Sequence, residues 1–285
     1  MSKLSPFLRF IFLLALSVIF WGSALVTLFA LALHKDEYTH ILLILPVSVA
    51  LIMLEWKSLK VSPSPNSRGG VGLLALALLV ECFARWGAPS LSADVHLSMN
   101  VLALVFWWIG AFVFCFGSGV SIRFLFPLCF LFCLVPLPQF ALDKTVVFLQ
   151  HESAYATRLL FAAAGVPVMQ DGMFLSIPGV TVEVARECSS IRSSLMLLVT
   201  SMVLAHLFLR SIWRKTVVVL AAVPLSVAKN AIRIFTLSML GVHVDPSFLH
   251  GSLHEKGGIV FFILALLVVL LLLWLLAWDE KRLRA

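Results

Sequence analysis

The chain has 285 residues, of which 61% are hydrophobic and 12% are charged. A soluble domain would have about a quarter charged residues, so the composition excludes an ordinary soluble protein and predicts an all-α polytopic membrane protein. The formal net charge of +7 is not gathered into a basic stripe with interleaved aromatic residues, so we expect no nucleic-acid partner.

About eight stretches are long enough to cross a bilayer, because a spanning helix needs about 20 mostly apolar residues. These predicted spans are 8–33, 39–56, 70–86, 97–117, 122–140, 188–209, 214–240 and 257–278. The first is longer than a signal-peptide core and has no small-residue cleavage site, so we interpret it as a retained helix. We expect a single integral-membrane domain over 1–285, with helices one to five in 1–140 and helices six to eight in 188–285.

Residues 141–187 form the long stretch between predicted spans five and six. Their first half has apolar and polar residues at helical spacing, which predicts an amphipathic helix lying at the membrane interface. In the second half, Val180, Val182 and Val184 alternate with other residues between turn signals. This pattern predicts a small β-hairpin or meander that leads into Cys188, with a plain structured loop as the alternative.

The distribution of Lys and Arg predicts the orientation in the membrane. When Arg192, Lys229 and Arg233 within the spans are set aside, twelve of the others fall in the loops or span ends of one side and six on the other side, and the twelve are in the shorter loops. The positive-inside rule then places both termini in the cytoplasm and residues 141–187 outside it. We expect a multi-pass protein of the cell inner membrane, in contact with the lipid bilayer, whose site faces the periplasm or exterior.

Three residues that the topology brings to the outer leaflet suggest a reaction. Cys188 begins span six, Arg233 lies about two turns from the outer end of span seven, and His254 precedes span eight. Ionisable residues in a membrane are rare and each is a functional hypothesis. A thiolate is favoured at a helix N-terminus beside cations, a histidine can move its proton, and an arginine can hold an oxyanion. The three types therefore suit acyl transfer through a thioester.

Each of these residues also has a plainer interpretation. Cys188 can be a packing residue, and His254 can be interfacial. Lys229 and Arg233 lie one helical turn apart and can snorkel or pair with Glu187.

The remaining cysteines and the motif content point to no bound group. Cys82, Cys115, Cys129 and Cys133 lie in apolar runs, where a cysteine is usually a small buried hydrophobe. The sequence has no phosphate loop, nucleotide motif or metal-ligand cluster, so we expect no cofactor and no metal.

Several segments together resemble the exosortase/archaeosortase family. "ECSSIRS", then "NAIRI", then a histidine four residues before a glycine in "HEKGGIVFF" follow the family's order. "DEYTH", "PLPQFALDKTVVFLQ" and "GVPVMQDGMFLSIPGVTVEVA" resemble further family elements, so that the resemblance covers residues 34–262. Spaced motifs in the same order are more specific than "CSSIRS" alone.

The resemblance implies a membrane cysteine enzyme that processes exported proteins bearing a C-terminal sorting signal. Such a signal has a short motif, as in PEP-CTERM tails, a transmembrane helix and a basic tail. Cys188 would be the nucleophile, Arg233 the essential arginine and His254 the third catalytic residue. His250 is a close rival, although the spacing to the glycine favours His254. The expected substrate-binding residues are Tyr38, His40, Glu187, Arg192, Lys229 and Asn230.

The sequence departs from the commoner family pattern at two places. Many members have Ala-Cys-Ser-Gly where this chain has Glu187-Cys188-Ser189-Ser190, and Ser-His-Gly is common where it has Thr39-His40-Ile41. These differences leave every reactive group in place, but they leave the subfamily and its sorting signal open.

The expected function is that of a cysteine protease or transpeptidase acting at the outer face of the membrane, with transfer of the processed protein to an acceptor. One alternative is a membrane transporter that uses Arg233 and Lys229 as substrate charges. Another is a structural subunit of an export or polysaccharide assembly system with no reactive cysteine. Hydrolysis and transfer also stay open, because both pass through the same thioester.

Overall fold

The computed structural model describes residues 5–57, 67–87, 91–184, 191–245, 247 and 258–282. Cys188, Glu187, His250 and His254 lie outside the described residues. The chain divides into two compact units, Met1–Ala141 and Leu142–Ala285.

The first unit is a group of apolar helices. They are α1 (Pro6–His34), α2 (Ile41–Trp56), α3 (Ser67–Cys82), α4 (Ala93–Phe116), α5 (Ser118–Arg123) and α6 (Leu125–Phe130). A 3₁₀ turn, Asp36–Tyr38, precedes α2, a π-helical turn, Phe83–Gly87, follows α3, and a 3₁₀ turn, Leu131–Leu134, extends α6. At the start of α1, the Ser5 hydroxyl accepts a hydrogen bond from the Leu8 amide at 3.3 Å, which satisfies one open amide of the first turn.

Helix α4 forms the core of this unit by packing against α1 and α3. Gly70 of α3 and Gly110 of α4 allow α3 and α4 to approach each other closely. A Cβ atom at Gly70 would lie 2.4 Å from the Phe114 backbone, and one at Gly110 would lie 3.0 Å from Leu73. Small residues at such contacts are typical of helices that associate in lipid, where packing replaces the hydrophobic driving force.

The predicted fifth span, 122–140, is not a continuous helix. Gly117 has a φ of 87°, which turns the chain after α4, and short helices follow before the chain becomes extended at Val135. Pro136 and Pro138 keep the helix from continuing, because proline lacks an amide hydrogen and disfavours a helical residue before it, and the next helix begins at Gln139. The segment Leu125–Leu134 is about 15 Å long, half of the thickness of a bilayer core.

The second unit combines helices with a small sheet. Its elements are α7 (Gln139–Ala163, which starts just before the boundary), β1 (Met169–Asp171), β2 (Phe174–Ile177), β3 (Val180–Glu183), α8 (Ile191–Phe208), α9 (Ile212–His243) and α10 (Gly258–Arg282). The helix and the β-structure predicted for residues 141–187 are both confirmed.

The sheet is an antiparallel meander of three strands in the order β1-β2-β3. Gly172 (φ 57°) and Gly179 (φ 93°) lie in its two tight turns, in a backbone region that favours glycine. Leu175 and Ile177 of β2 and Val184 after β3 pack with Ala154 and Phe161 of α7 and Ile234 of α9. The sheet is therefore docked on α7 and on the C-terminal half of α9.

Seven helices among the described residues are long and apolar enough to cross a membrane, and an eighth is counted if the bent pair Leu125–Leu134 and Gln139–Ala163 is one span. Large apolar side chains on these helices stay exposed, such as Ile19 at 79% and Ile259 at 67%. Exposed apolar surface on this scale suits contact with lipid. The protein is a multi-pass membrane protein, as its composition predicts.

Candidate functional site

Arg233 lies deeper in its helix than the sequence predicts. Span seven was expected to end at residue 240, but α9 continues to His243, and the Val244 amide still donates to the Leu240 carbonyl. No proline interrupts the last turns, and Gly241 is accommodated within the helix. Arg233 is thus ten residues, or about 15 Å, from the end of α9.

Three polar residues of α9 that were predicted to contribute to a site are buried together. Lys229, Asn230 and Arg233 are 5%, 1% and 8% exposed. The Lys229 ammonium group donates to the Ser193 hydroxyl of α8, and Asn230 Nδ2 donates to Ser153 Oγ of α7 at 3.0 Å. Because consecutive helical residues project in directions about 100° apart, these two neighbours reach two different helices.

The side of α7 that faces α9 supplies a line of polar groups that the sequence analysis missed. Thr157 Oγ1 donates to the Ser153 carbonyl at 2.6 Å and lies 3.5 Å from the Ala231 carbonyl of α9. Gln150 Nε2 donates to the Val184 carbonyl at 2.8 Å. Gln150, Ser153 and Thr157 recur at intervals of three and four residues, which places them on one helix face. That spacing was a readable signal within the amphipathic pattern.

This part of α9 carries two cationic side chains, Lys229 and Arg233, one helical turn apart. Lys229 and Arg233 repel each other electrostatically, and both are held away from water in a segment that is apolar enough to span a membrane. Buried cations in such a segment are expensive and usually mark a functional site. Arg192, the other predicted cation, lies in the first turn of α8 with an exposed side chain.

Tyr38, in the first unit, is hydrogen-bonded to the proline-rich segment that precedes α7. Its hydroxyl donates to the Leu137 carbonyl at 2.8 Å, and its side chain is 4% exposed. Ser98 Oγ donates to the Pro136 carbonyl at 2.8 Å, and the Gln139 amide donates to Asp94 Oδ2 at 2.7 Å. Side chains from two elements thus hold the proline-rich segment before α7. This gives Tyr38 a structural role, and its contact with substrate stays a prediction.

His40, also in the first unit, immediately precedes α2. It is 9% exposed, and its Nδ1 lies 3.2 Å from the Glu37 carbonyl. Its predicted contact with substrate likewise stays a prediction.

A small apolar cavity of about 100 Å³ lies between α9 and α10. Its lining is Leu225, Ala228, Lys229 and Ile232 from α9 and Phe261, Leu264, Ala265 and Val268 from α10. Residues at intervals of three and four line it from both helices, so the cavity is a crease between two helix faces. Lys229 is the one charged residue in this lining.

The cysteines predicted to be buried hydrophobes differ in exposure. Cys115 is buried and Cys133 half-buried, but Cys82 and Cys129 are exposed. A thiol on an apolar membrane helix does not have to be buried, because lipid is a suitable neighbour for it. Within the described residues, no three His, Cys, Asp or Glu side chains are grouped so that they can hold a metal ion.

The comparisons with known proteins agree with the resemblance in the motifs. The family model for the transmembrane exosortase matches residues 32–272, which include all of the buried polar residues of α7, α8 and α9 described above. No curated protein and no solved structure matches the chain. The chain belongs to the transmembrane exosortase family.

Proposed function

We propose that this protein is a cysteine protease and transpeptidase that removes the C-terminal sorting signal of exported proteins and transfers them to an acceptor. Membership of the exosortase family supports a sorting role of the transpeptidase type, with protein substrates. The observation that carries the finer proposal is Arg233, a buried guanidinium inside the matched region and in the "NAIRI" motif.

The reaction proposed is acyl transfer through a thioester. His254 accepts the thiol proton of Cys188, and the thiolate attacks the carbonyl carbon of the scissile peptide bond. Arg233, which keeps its charge, stabilises the oxyanion of the tetrahedral intermediate. The C–N bond then breaks as His254 returns the proton to the leaving amine. An acceptor amine, an acceptor hydroxyl or water then attacks the thioester carbonyl carbon. The C–S bond breaks to release the Cys188 thiolate, and the neutral His254 takes the proton of the attacking group.

The proposal includes the surroundings of this site. The chain forms one integral-membrane domain of the cell inner membrane, with both termini in the cytoplasm and α7 and the sheet outside. The substrate carries a motif such as that of PEP-CTERM tails, a transmembrane helix and a basic tail, and its helix inserts beside the bundle. Glu187, Arg192, Lys229 and Asn230 contact the motif, with Tyr38 and His40 as further candidates.

The first test is processing of a co-expressed reporter protein that ends in a PEP-CTERM-type tail. We expect Cys188→Ala and Arg233→Lys to lower the processing rate by about 100-fold or more, since each removes a group that acts on the transition state. Cys82→Ala, which removes an exposed thiol from α3, serves as the matched control and should process at the wild-type rate. Processing at the wild-type rate by both Cys188→Ala and Arg233→Lys would overturn the proposal.

A second test decides between the two histidines. His254→Ala should abolish processing because the leaving amine then has no proton donor, while His250→Ala should retain most of it. The opposite result would assign the proton transfer to His250.

Labelling with a membrane-impermeant thiol reagent separates the enzyme from a transporter or a structural subunit. Fast labelling of Cys188 at low pH supports an activated nucleophile, whereas an unreactive thiol favours the other two classes. Mass spectrometry of the new C-terminus of the processed reporter then distinguishes transfer, which adds the acceptor, from hydrolysis, which adds water.

A further inference from the structure

Val184, the residue before the segment 185–190 that carries Cys188, is held by two hydrogen bonds. Val184 is fully buried, and its amide donates to the Met173 carbonyl at 2.9 Å. Its carbonyl accepts from Gln150 Nε2 at 2.8 Å, and Gln150 is itself 7% exposed. The end of the sheet is thereby fixed to α7.

Ser193, three residues after that segment, is also held by a hydrogen bond. Helix α8 is described from Ile191, and Ser193 lies in its first turn. The Ser193 hydroxyl accepts a hydrogen bond from the ammonium group of Lys229, which is buried in α9. The start of α8 is thereby fixed to α9.

The two attachments are joined to each other. Ser153 lies three residues after Gln150 on the same face of α7, and its hydroxyl accepts from Asn230, the residue after Lys229. Thr157, one turn further along α7, lies against the Ala231 carbonyl of α9. Separate hydrogen bonds thus attach Val184 to α7, α7 to α9, and α9 to Ser193, so that α7 and α9 link the two residues in addition to the covalent chain.

We propose that Gln150 and Lys229 are positioning residues that act on the reaction by fixing the two ends of the segment 185–190. This inference rests on the proposed function, in which Cys188 is the nucleophile. Anchoring both ends of a short segment removes much of its conformational freedom before substrate binds. Because a misplacement of about 1 Å at a reacting centre can cost about 100-fold in rate, such anchoring favours the chemical step more than binding.

Limited trypsin cleavage of the full-length protein in detergent micelles measures the anchoring directly, since Arg186 lies inside the segment. Two variants should each raise the rate of cleavage after Arg186 about 10-fold or more. Gln150→Leu has a side chain of similar size that cannot donate a hydrogen bond, and Ser193→Ala removes the hydroxyl that accepts from Lys229. Ser193→Thr, which keeps the hydroxyl, should restore the wild-type rate.

Ser201→Ala is the matched control, because it removes from α8 a buried hydroxyl that has no hydrogen-bond partner among the described residues. It should cleave and process like the wild type.

Reporter processing then distinguishes positioning from loss of stability. Gln150→Leu and Ser193→Ala should lower kcat about 10- to 100-fold with little change in KM, and Ser193→Thr should recover it. Cleavage and kcat equal to those of Ser201→Ala would overturn the inference, as would faster cleavage with an unchanged kcat. Should Gln150→Leu fail to fold, the Ser193→Ala and Ser193→Thr pair decides.

A failure of the proposed function gives a different pattern. Cys188→Ala should keep the wild-type cleavage rate and lose processing. If Cys188→Ala still processes the reporter, the proposed nucleophile is wrong, while trypsin cleavage of Gln150→Leu and Ser193→Ala still reports on the anchoring.

Discussion

At the scale of single residues, one carboxylate makes several connections in the second unit. Glu280, near the end of α10, accepts hydrogen bonds from the Arg210 and Ser211 amides at 3.1 Å each. It also lies 3.8 Å from Arg214, whose other nitrogen is paired with Asp279 at 2.6 Å. Arg214 and Glu280 are buried, whereas 53% of the Asp279 side chain is exposed. Glu280 thereby joins the end of α10 to the turn between α8 and α9.

Removing Glu280 should destabilise the fold more than removing its neighbour. We expect Glu280→Ala to lower the free energy of unfolding by about 3 kcal/mol, because two amides lose their acceptor and a buried arginine loses a counter-charge. Asp279→Ala should cost about 1 kcal/mol or less, since water screens an exposed pair. Thermal unfolding in detergent measures the difference, and equal losses would contradict this assignment.

At the scale of elements, the close contact between α3 and α4 depends on a glycine. Gly70→Ala would place a Cβ atom 2.4 Å from the Phe114 backbone, so the helices must separate. We expect a loss of about 1–3 kcal/mol in the free energy of unfolding. Gly72→Ala is the matched control in the same helix, because its Cβ atom would meet nothing within 4 Å. It should be neutral or slightly stabilising, since alanine favours a helix. A loss as large in Gly72→Ala would point to a general intolerance of α3.

The loop before α7 allows a test of Tyr38 at the same scale. If Tyr38 only anchors the Leu137 carbonyl, Tyr38→Phe should lower the free energy of unfolding by about 1 kcal/mol and leave most of the processing intact. Ser98→Ala, which releases the neighbouring Pro136 carbonyl, should behave alike, and the two losses should be coupled in the double variant. Loss of processing in Tyr38→Phe without loss of stability would instead assign the hydroxyl to substrate.

At the scale of the whole molecule, the proposed orientation follows from charge. In a variant whose native cysteines are replaced, His151→Cys on α7 should react with a membrane-impermeant maleimide on spheroplasts. Lys281→Cys near the end of α10 should react only after the membrane is opened. Both positions are exposed on their helices, so burial does not favour either. The reverse pattern would invert the topology that the positive-inside rule predicts.

Much of the fold could be predicted because the features that specify it are local. A membrane helix must satisfy its own backbone in lipid, so apolar length alone identified α1, α4, α9 and α10. Alternating valines likewise identified β3. The predicted fifth span differs in shape, because Pro136 and Pro138 interrupt the apolar stretch 122–140 and leave a bent pair of helices instead of one continuous helix. At that place the proline residues, and not hydropathy, decided where the helices end.

From the sequence, the candidate site could be predicted only as a set of residue types that lie at a similar depth in the membrane. Arg233 and Lys229 stood out because a cation in an apolar span is costly wherever it lies. Gln150, Ser153 and Ser193 did not stand out, since a neutral polar residue on an amphipathic helix or near the start of a helix needs no explanation. The partners of these three lie between 34 and 77 residues away in the chain.

The sequence by itself determined that this is a multi-pass membrane protein, where most of its long helices lie, and which family its motifs belong to. Each of these depends on composition, on local spacing, or on the order of short motifs along the chain. Only the tertiary structure decided that side-chain hydrogen bonds attach Val184 to α7 and Ser193 to α9. Hydropathy describes how a residue interacts with its solvent, whereas a buried hydrogen bond depends on which helices become neighbours and on how each is rotated.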